Sequence, residues 1–280
     1  MAAVQKTEFG SPSRSAGAYR LAAALTDLVL GLKQWRTWWV LAFHDIRQRY
    51  RRSTLGQFWL TLSMAAMIGG IGLIYTLIFN QRAGVYVPYL GMGLIVWGLL
   101  ASLVNDLSTC LINAETYLRS YPTPRSVVIY QTITRNFIIS AHNLIIVPFL
   151  LFFFAVPLTL TALLAIPALL LIAVNAVWIG MVVGPICTRY RDLPPIISSA
   201  VQLAFFLTPV MYQPAQLDGR LWAVTHLNPF ASFVEILRGP LLNEVPAAHH
   251  YLMVVVCTLV GWAVAIPFYA RFRGRIVYWL

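Results

Sequence analysis

Charged residues are scarce in this chain of 280 residues. They make up 10% of the sequence, whereas hydrophobic residues make up 59%, and the mean hydropathy is +0.73. A soluble domain carries roughly 25% charged residues. The shortage excludes a soluble globular enzyme, a disordered chain and a secreted disulfide scaffold, so we expect an integral membrane protein.

Lysine is rarer still, because the chain has only Lys6 and Lys33, and neither follows a glycine. The glycine-rich loop that cradles the phosphates of ATP needs such a lysine. We therefore expect that this chain neither hydrolyses ATP by that route nor binds a cofactor. The three cysteines have no paired spacing and the five histidines are scattered, which predicts neither a disulfide framework nor a metal site.

Long apolar runs are what the sequence has in abundance. A helix needs about 20 apolar residues to cross the hydrocarbon of a bilayer, and the runs predict an all-α membrane protein with six spans. The predicted spans are Gln57–Phe79, Tyr89–Ile112, Thr132–Val156, Thr161–Val183, Ile196–Val210 and Tyr251–Ala270. No cleavable signal peptide is visible before the first span, so we expect that span to direct insertion.

Basic residues fall mostly on one side of these spans. With both termini on that side, 17 of the 20 Lys and Arg residues lie in segments 1–56, 113–135, 184–195 and the C-terminal tail. The positive-inside rule places this side, and both termini, in the cytoplasm. Most of the +11 net charge then lies at the cytoplasmic face of the membrane, and we expect no nucleic-acid partner.

The chain divides into three predicted segments: a flexible N-terminus over 1–20, an amphipathic interface helix over 21–56 and the six-span domain over 57–280. In the second segment, tryptophans and other apolar residues recur from Trp35 to Tyr50 at three- and four-residue steps, typical of a helix in the membrane interface. The arginines that follow anchor the topology, or they also bind a phosphate-bearing lipid head group. These lipid-phosphate candidates are Arg47, Arg49, Arg51 and Arg52.

Two shorter segments are predicted to form helices that do not cross the membrane. In the loop after the second span, Asn113 can cap a short helix that ends at Tyr121-Pro122; it suits docking into a groove of a partner, or it is an ordinary loop. The stretch Pro229–Leu237 opens with Asn228 as N-cap and closes at Gly239-Pro240. It is too short to cross, which predicts a re-entrant or interfacial helix outside the fifth span.

Two sets of residues within the spans leave alternatives open. Asp106 and Arg135 are the ionisable candidates, and they either pair with each other or each reach the interface. Small residues four positions apart let helices approach closely. The pairs Ala65/Gly69 and Ala66/Gly70 therefore serve either a dimer interface or packing within the chain.

Taken in order, several motifs resemble the membrane subunits of type-2 ABC exporters, in particular the permeases that export O-antigen and related cell-surface polysaccharides. The resemblance runs from about Trp38 to the end of the chain. It rests on DIRQRYRRSTLG at 45–56, YPTPRS at 121–126, RYRDLP at 189–194, FFLTPVMY at 205–212, LNP at 227–229 with Glu235 and Arg238, and FRGRIVYWL at 272–280.

The resemblance implies a homodimeric channel in the bacterial inner membrane, with two copies of a separate ABC ATPase that binds ATP and Mg beneath it. The implied substrate is a polysaccharide linked to undecaprenyl diphosphate. The implied ATPase-coupling residues are Glu115, Thr116, Tyr117, Leu118, Arg119, Tyr121 and Pro122. Two short helices near Thr208–Leu217 and Pro229–Leu237 would form a periplasmic gate. Its residues are Thr208, Pro209, Asn228, Pro229, Glu235 and Arg238.

Aromatic rings suit a glycan path, because the C–H faces of sugars stack on them. The candidates, which alternatively belong to the membrane belt or to packing, are Tyr75, Trp97, Trp178, Phe205, Phe206, Tyr212 and Phe233. Alternative functions are a teichoic acid or capsule exporter permease, a drug or small-lipid exporter, or a membrane-embedded transferase acting on lipid-linked sugar. For the transferase the sequence offers only the isolated acids Asp106, Glu115 and Asp192.

Overall fold

The computed structural model describes residues 13–49, 58–78, 80–214 and 226–280. The regular elements in these ranges are helices, joined by turns and short 3-10 segments. In chain order they are α1 Ser13–Lys33, α2 Trp35–Arg49, α3 Phe58–Ile78, α4 Ala83–Asn113, α5 Glu115–Ser120, α6 Ser126–Asn143, α7 Ile146–Phe153, α8 Ala165–Arg189, α9 Leu193–Leu207, α10 Pro229–Leu241, α11 Ala248–Phe272 and α12 Ile276–Trp279. Arg51, Arg52 and positions 215–217 of the first predicted gate helix lie outside the described residues.

Five helical stretches in the described residues are long and apolar enough to cross a membrane. They coincide with the predicted first, second, third, fourth and sixth spans. They are α3, α4, α6 with α7, α8 with the 3-10 turn before it, and α11 with the tail through α12. The predicted fifth span corresponds to α9, whose 15 residues end at Leu207, and the next residue, Thr208, has an extended conformation.

The N-terminal region is two helices, where the sequence predicted one amphipathic helix from residue 21. A turn at Gln34 separates α1 from α2, and α1 begins at Ser13, inside the predicted flexible segment. The apolar face of α2 is also divided. Ala42 and Ile46 are buried in the fold, while Trp35, Trp39 and Phe43 point outward, as suits a helix at a membrane surface.

The centre of the fold is α4, which packs against α3, α6, α8, α9 and α10. Small residues permit its close approach to α8: a Cβ on Gly180 would come within 2.7 Å of the Ile129 side chain on α6 and 3.0 Å of Leu107 on α4. In contrast, Ala65, Ala66, Gly69 and Gly70 on α3 are exposed. Of the two alternatives, packing within the described chain is not observed for these residues, and their use in a dimer stays a prediction.

An ion-paired cluster attaches α2 to the bundle. Arg135 on α6 lies between two carboxylates, with Nη2 2.9 Å from Asp106 Oδ2 and Nη1 3.2 Å from Asp45 Oδ2. Asn136 and Gln131 donate further hydrogen bonds to Asp106 and Asp45, respectively. Of the two alternatives for Asp106 and Arg135, the structure shows the pairing, and Asp45 on α2 joins it. The cysteines Cys110, Cys187 and Cys257 are free thiols.

The contact between α8 and α11 predicts the effect of a single methyl group. A Cβ added at Gly261 would lie 2.2 Å from the Trp178 ring, whose Nε1 donates to Asn175 at 2.8 Å. Because the ring is fixed, we expect Gly261→Ala to destabilise the protein by about 1–3 kcal/mol through overpacking, measured as thermal unfolding in detergent. Gly98→Ala is the matched control, because its Cβ would meet only Met64 Cε at 3.4 Å. Equal melting temperatures for the two variants would contradict this view of the interface.

Candidate functional site

The short helix α5 follows α4 after a single residue, Ala114. Asn113 is the last residue of α4, and its Nδ2 donates to Thr109 Oγ1 at 3.2 Å. The prediction that Asn113 caps α5 is therefore wrong, because α4 uses that residue itself. The predicted end is confirmed: Tyr121 takes an extended conformation, as the residue before a proline prefers.

The charged side chains of α5 connect it to two other elements. Glu115 pairs with Arg119 on the same helix at 3.0 Å and with Arg191, in the turn before α9, at 3.7 Å. Arg191 also donates to the backbone oxygen of Leu280 at 3.1 Å. Arg191 and Leu280 were not singled out as site residues from the sequence, although both lie in segments that resemble the exporters. Movement of α5 thus reaches both the start of α9 and the C-terminal helix α12.

The seven predicted coupling residues divide between an anchor and an outward face. Leu118 is buried and Tyr117 is half-buried, with its ring 5.5 Å from that of Tyr121. The exposed residues are Thr116, Arg119, Tyr121 and Pro122, and Glu115 is half-buried. A short polar face on a fixed apolar anchor is suited to docking against a partner surface.

A buried acid on α1 holds the loop that follows α5. Asp27 is 4% exposed, and its carboxylate accepts hydrogen bonds from the backbone N–H groups of Arg125 and Ser126 at 3.2 and 3.1 Å. The Tyr269 hydroxyl and the Arg273 guanidinium also donate to it, at 2.9 and 3.0 Å. Sequence reasoning missed Asp27, although it is the one charged residue in the apolar run LAAALTDLVLGL at 21–32.

Arg238 on α10 is the centre of a second cluster, at the other end of α4. It is 2% exposed and pairs with Glu235, while its Nη1 donates to the carbonyl oxygen of Pro209 at 2.8 Å. Its guanidinium carbon lies 3.8 Å from the centre of the Tyr89 ring, a favourable cation–π arrangement. The Tyr89 hydroxyl also donates to the carbonyl oxygens of Pro209 and Tyr212, both at 3.1 Å.

Asn228 joins α10 to the same turn. Its Oδ1 accepts from Phe230 N at 2.9 Å and its Nδ2 donates to Thr208 Oγ1 at 3.0 Å. The predicted N-cap is thus confirmed, with Pro229 as the first helical residue. Five of the six predicted gate residues therefore meet in one hydrogen-bonded cluster. They are Thr208, Pro209, Asn228, Glu235 and Arg238.

Two boundaries in this region differ from the prediction. The helix α10 continues through Gly239-Pro240 to Leu241: the proline removes one N–H donor from the last turn, and Leu242 N still donates to Arg238 O at 3.1 Å. The chain turns instead at Asn243, where φ is +66°, a conformation that asparagine tolerates. In the first predicted gate helix, residues 208–213 are turn and irregular chain, and Pro214, the last described residue before position 226, has 3-10 conformation.

The aromatic candidates fall into separate groups. Trp97 lies 5.5 Å from both Phe205 and Phe230, and Phe206 is 65% exposed beside them; Phe230 was missed from the sequence. Trp178 and Phe233 line an apolar cavity of about 270 Å³. The other two candidates are half-buried, Tyr75 on α3 and Tyr212 in the turn after α9.

The described arginines of the lipid-phosphate group lie at the end of α2, where both Arg47 and Arg49 are exposed. Arg47 borders a surface hollow together with the outward-facing Trp39 and Phe43 and with His44. Aromatic rings beside cations are typical of a surface that meets lipid head groups.

Comparisons with known proteins match most of the chain. A sequence profile described as "ABC-2 type transporter" matches residues 36–242, which include α5 and the Arg238 cluster. Two curated relatives from Klebsiella pneumoniae, both named "O-antigen export system permease protein RfbA", are 25% and 24% identical over 238 residues. Each alignment covers 80% of this chain and 89% of the relative. The chain therefore belongs to the ABC-2 type transporter family, as a membrane permease subunit.

Proposed function

We propose that this chain is the permease subunit of an ATP-driven exporter that moves a lipid-linked polysaccharide of the O-antigen type outward across the bacterial inner membrane. Two copies form the channel, and two copies of a separate ABC ATPase supply the energy. ATP and Mg are bound by that partner. The observation that carries the proposal is α5, an outward-facing helix that is braced by Arg191 and lies within the family match.

The energy must enter from another chain, because the sequence has no phosphate-binding loop with its lysine. The outward face of α5 offers hydroxyls and one arginine, Arg119, to a groove of the ATPase. Its buried residue Leu118 and the Glu115–Arg191 pair keep the helix from turning independently of the bundle. A push on α5 is therefore delivered to the membrane helices.

The proposed topology has six crossings with both termini in the cytoplasm. At 1.5 Å per residue, α9 is about 22 Å long, shorter than the hydrocarbon thickness of about 30 Å. We infer that the turn after α9, bound to Arg238 and Tyr89, completes the fifth crossing. On this view α10 is a re-entrant helix, and the Arg238 cluster is the periplasmic gate.

The surfaces left exposed by the fold suit the remaining partners. The small residues on α3 have open space around them, so a second copy could approach its backbone closely. The grouped rings of Trp97, Phe205 and Phe206 offer stacking faces to a sugar chain. Arg47 and Arg49 offer charge to a lipid diphosphate at the cytoplasmic surface. The transferase alternative is weakened, because Asp106 and Glu115 are already held in ion pairs.

The proposal is tested by deleting the gene for this chain and by purifying the tagged protein from its own cells. We expect an ABC ATPase to co-purify, its ATP turnover to depend on this chain, and the polysaccharide to accumulate inside the deletion strain. Normal surface polysaccharide in the deletion strain, together with no associated ATPase, would contradict the proposal.

Reversal of the charge at Glu115 should uncouple ATP use from export. Glu115→Arg places a third cation beside Arg119 and Arg191, which releases the brace on α5. We expect export to fall about tenfold, typical of a lost coupling free energy, while ATP turnover continues. Export is measured as surface glycan, and ATP turnover as phosphate release by the purified complex.

Glu244→Arg is the matched control for Glu115→Arg, since Glu244 is an exposed acid after α10, far from α5 in the chain, and the charge change is the same. Equal loss of export in both variants would assign the effect to net charge instead of the brace.

Removal of the Asn228 cap should loosen the gate. Asn228→Leu loses the bonds to Phe230 N and Thr208 Oγ1, and an N-cap is typically worth about 1 kcal/mol, or roughly a fivefold shift in an equilibrium. We expect a leak of small ions through the complex in liposomes that wild type does not show. Leu227→Ala, at the exposed neighbouring residue, should leave the vesicles tight. Tight vesicles with Asn228→Leu would remove this residue from the gate.

A further inference from the structure

We propose that Asp27 on α1 is a positioning residue for energy coupling: its carboxylate fixes the junction between α5 and α6 and joins it to α11. This inference rests on the proposed function and assigns α1 to the coupling machinery. We name the group formed by Asp27, Arg125, Ser126, Tyr269 and Arg273 the Asp27 clasp.

The first argument is the N-terminus of α6. The first N–H groups of a helix have no partner within the helix and need a cap. The preceding residue, Arg125, makes no side-chain cap bond within the described ranges. Asp27, 98 residues earlier in the chain, accepts from Arg125 N and, through its other oxygen, from Ser126 N. Its negative charge also suits the positive end of the helix dipole.

The second argument is that the hydrogen bonds of the clasp specify one arrangement of its groups. A buried carboxylate is stable only if its acceptor sites are filled, and here four donors surround the two oxygens of Asp27. In return, the Ser126 hydroxyl donates to the backbone oxygen of Asp27 at 2.7 Å, and the Tyr130 hydroxyl donates to that of Leu28 at 3.3 Å. Tyr269 and Arg273 come from α11 and the turn after it. The clasp therefore fixes α1, α6 and the end of α11 relative to one another.

The third argument is the short and stiff link to α5. Only Tyr121-Pro122-Thr123-Pro124 separates the end of α5 from Arg125, and the two prolines fix much of its backbone. A cleft lies between this link and the N-terminal helix α1. Thr26, Leu30 and Gln34 line it on the N-terminal side, facing the loop. A displacement of α5 would therefore also displace Arg125, and through the hydrogen bonds of the clasp it would displace α6 and the end of α11.

The position of the clasp in the chain is informative as well. The family match covers residues 36–242, so it includes α5 and the start of α6. Asp27, Tyr269 and Arg273 lie outside it, in the segments before and after the match. The clasp thus joins both flanking segments to the junction through which α5 is connected to the bundle.

The test uses the complete complex of this chain with its co-purified ATPase and compares wild type with Asp27→Asn. The amide has nearly the same shape, but it loses the charge and one acceptor. We expect the ATP hydrolysed per exported glycan to rise about fivefold, within the usual range of coupling free energies. We also expect amide exchange in peptide 121–127 to become about tenfold faster, because two backbone N–H groups lose a charged acceptor.

Val29→Ala is the matched control, since Val29 is an exposed residue of the same helix and is not among the residues that line the cleft; both measurements should match wild type. A purely structural role would lower the amount of complex, and with it ATP turnover and export equally. An unchanged ratio of ATP to glycan in Asp27→Asn would therefore overturn the inference. Absence of ATP-dependent export by wild type would instead count against the proposed function.

If Asp27→Asn does not accumulate in the membrane, Arg273→Gln decides the question. This change keeps the carboxylate and both backbone bonds and removes one partly exposed cation. We expect a smaller rise in the ATP-to-glycan ratio, about threefold, for the loss of one charge-assisted hydrogen bond. A ratio equal to that of wild type would overturn the inference.

Discussion

The hydrocarbon of a bilayer provides no hydrogen-bond partner, so each polar side chain within or beside it must be satisfied by the protein itself. In the described residues this constraint gathers the more deeply buried charged groups into three clusters, centred on Asp27, Arg135 and Arg238. Each centre binds groups from at least two elements that are distant in sequence. The apolar faces between the clusters contribute buried area, but apolar contacts are non-directional and do not specify how one helix is placed against the next. The clusters therefore fix how the helices are arranged.

The three clusters also explain why the N-terminal helices belong to the fold. Without Asp45 and Asp27, α1 and α2 would be held chiefly by apolar contacts, which a lipid surface can provide equally well. Asp45 binds Arg135 and Gln131 on α6, and Asp27 binds the first residues of the same helix. The positive-inside rule treats the segment that contains these two helices only as a basic anchor. In the fold, α1 is bound to the first turn of α6 and α2 is bound to the middle of α6.

Features set by neighbouring residues were predictable from the sequence, whereas features set by distant partners were not. Apolar runs gave the positions of five membrane-capable helices, and Asn228-Pro229 gave the start of α10, because the cap and the proline act within one turn. The sequence singled out Asp106 and Arg135 because few ionisable residues lie in the spans, but it left their pairing open, since the partner of each depends on how distant helices pack. The cap that α6 receives from Asp27 was missed, since nothing near Arg125 in the sequence indicates an acceptor 98 residues away. The break at Gln34 was missed for a similar reason, because both helices pack on α6 but α1 also packs on α11, and neither partner is near Gln34 in the sequence.

The proposed coupling helix and gate are connected by two routes that meet at one carbonyl oxygen. Along the first route, α4 runs directly into α5 at one end and bears Tyr89 near the other. Its 31 residues are about 46 Å long. Along the second, Arg191 binds Glu115 just before α9, and Thr208-Pro209 directly follow the last residue of α9. Tyr89 and Arg238 both donate to the Pro209 oxygen. If α5 moved α4 and α9 by unequal amounts, these two hydrogen bonds could not both keep their length. Relative sliding of α4 and α9 would therefore change the Tyr89 bond to Pro209 first, and this bond links the proposed coupling helix to the proposed gate.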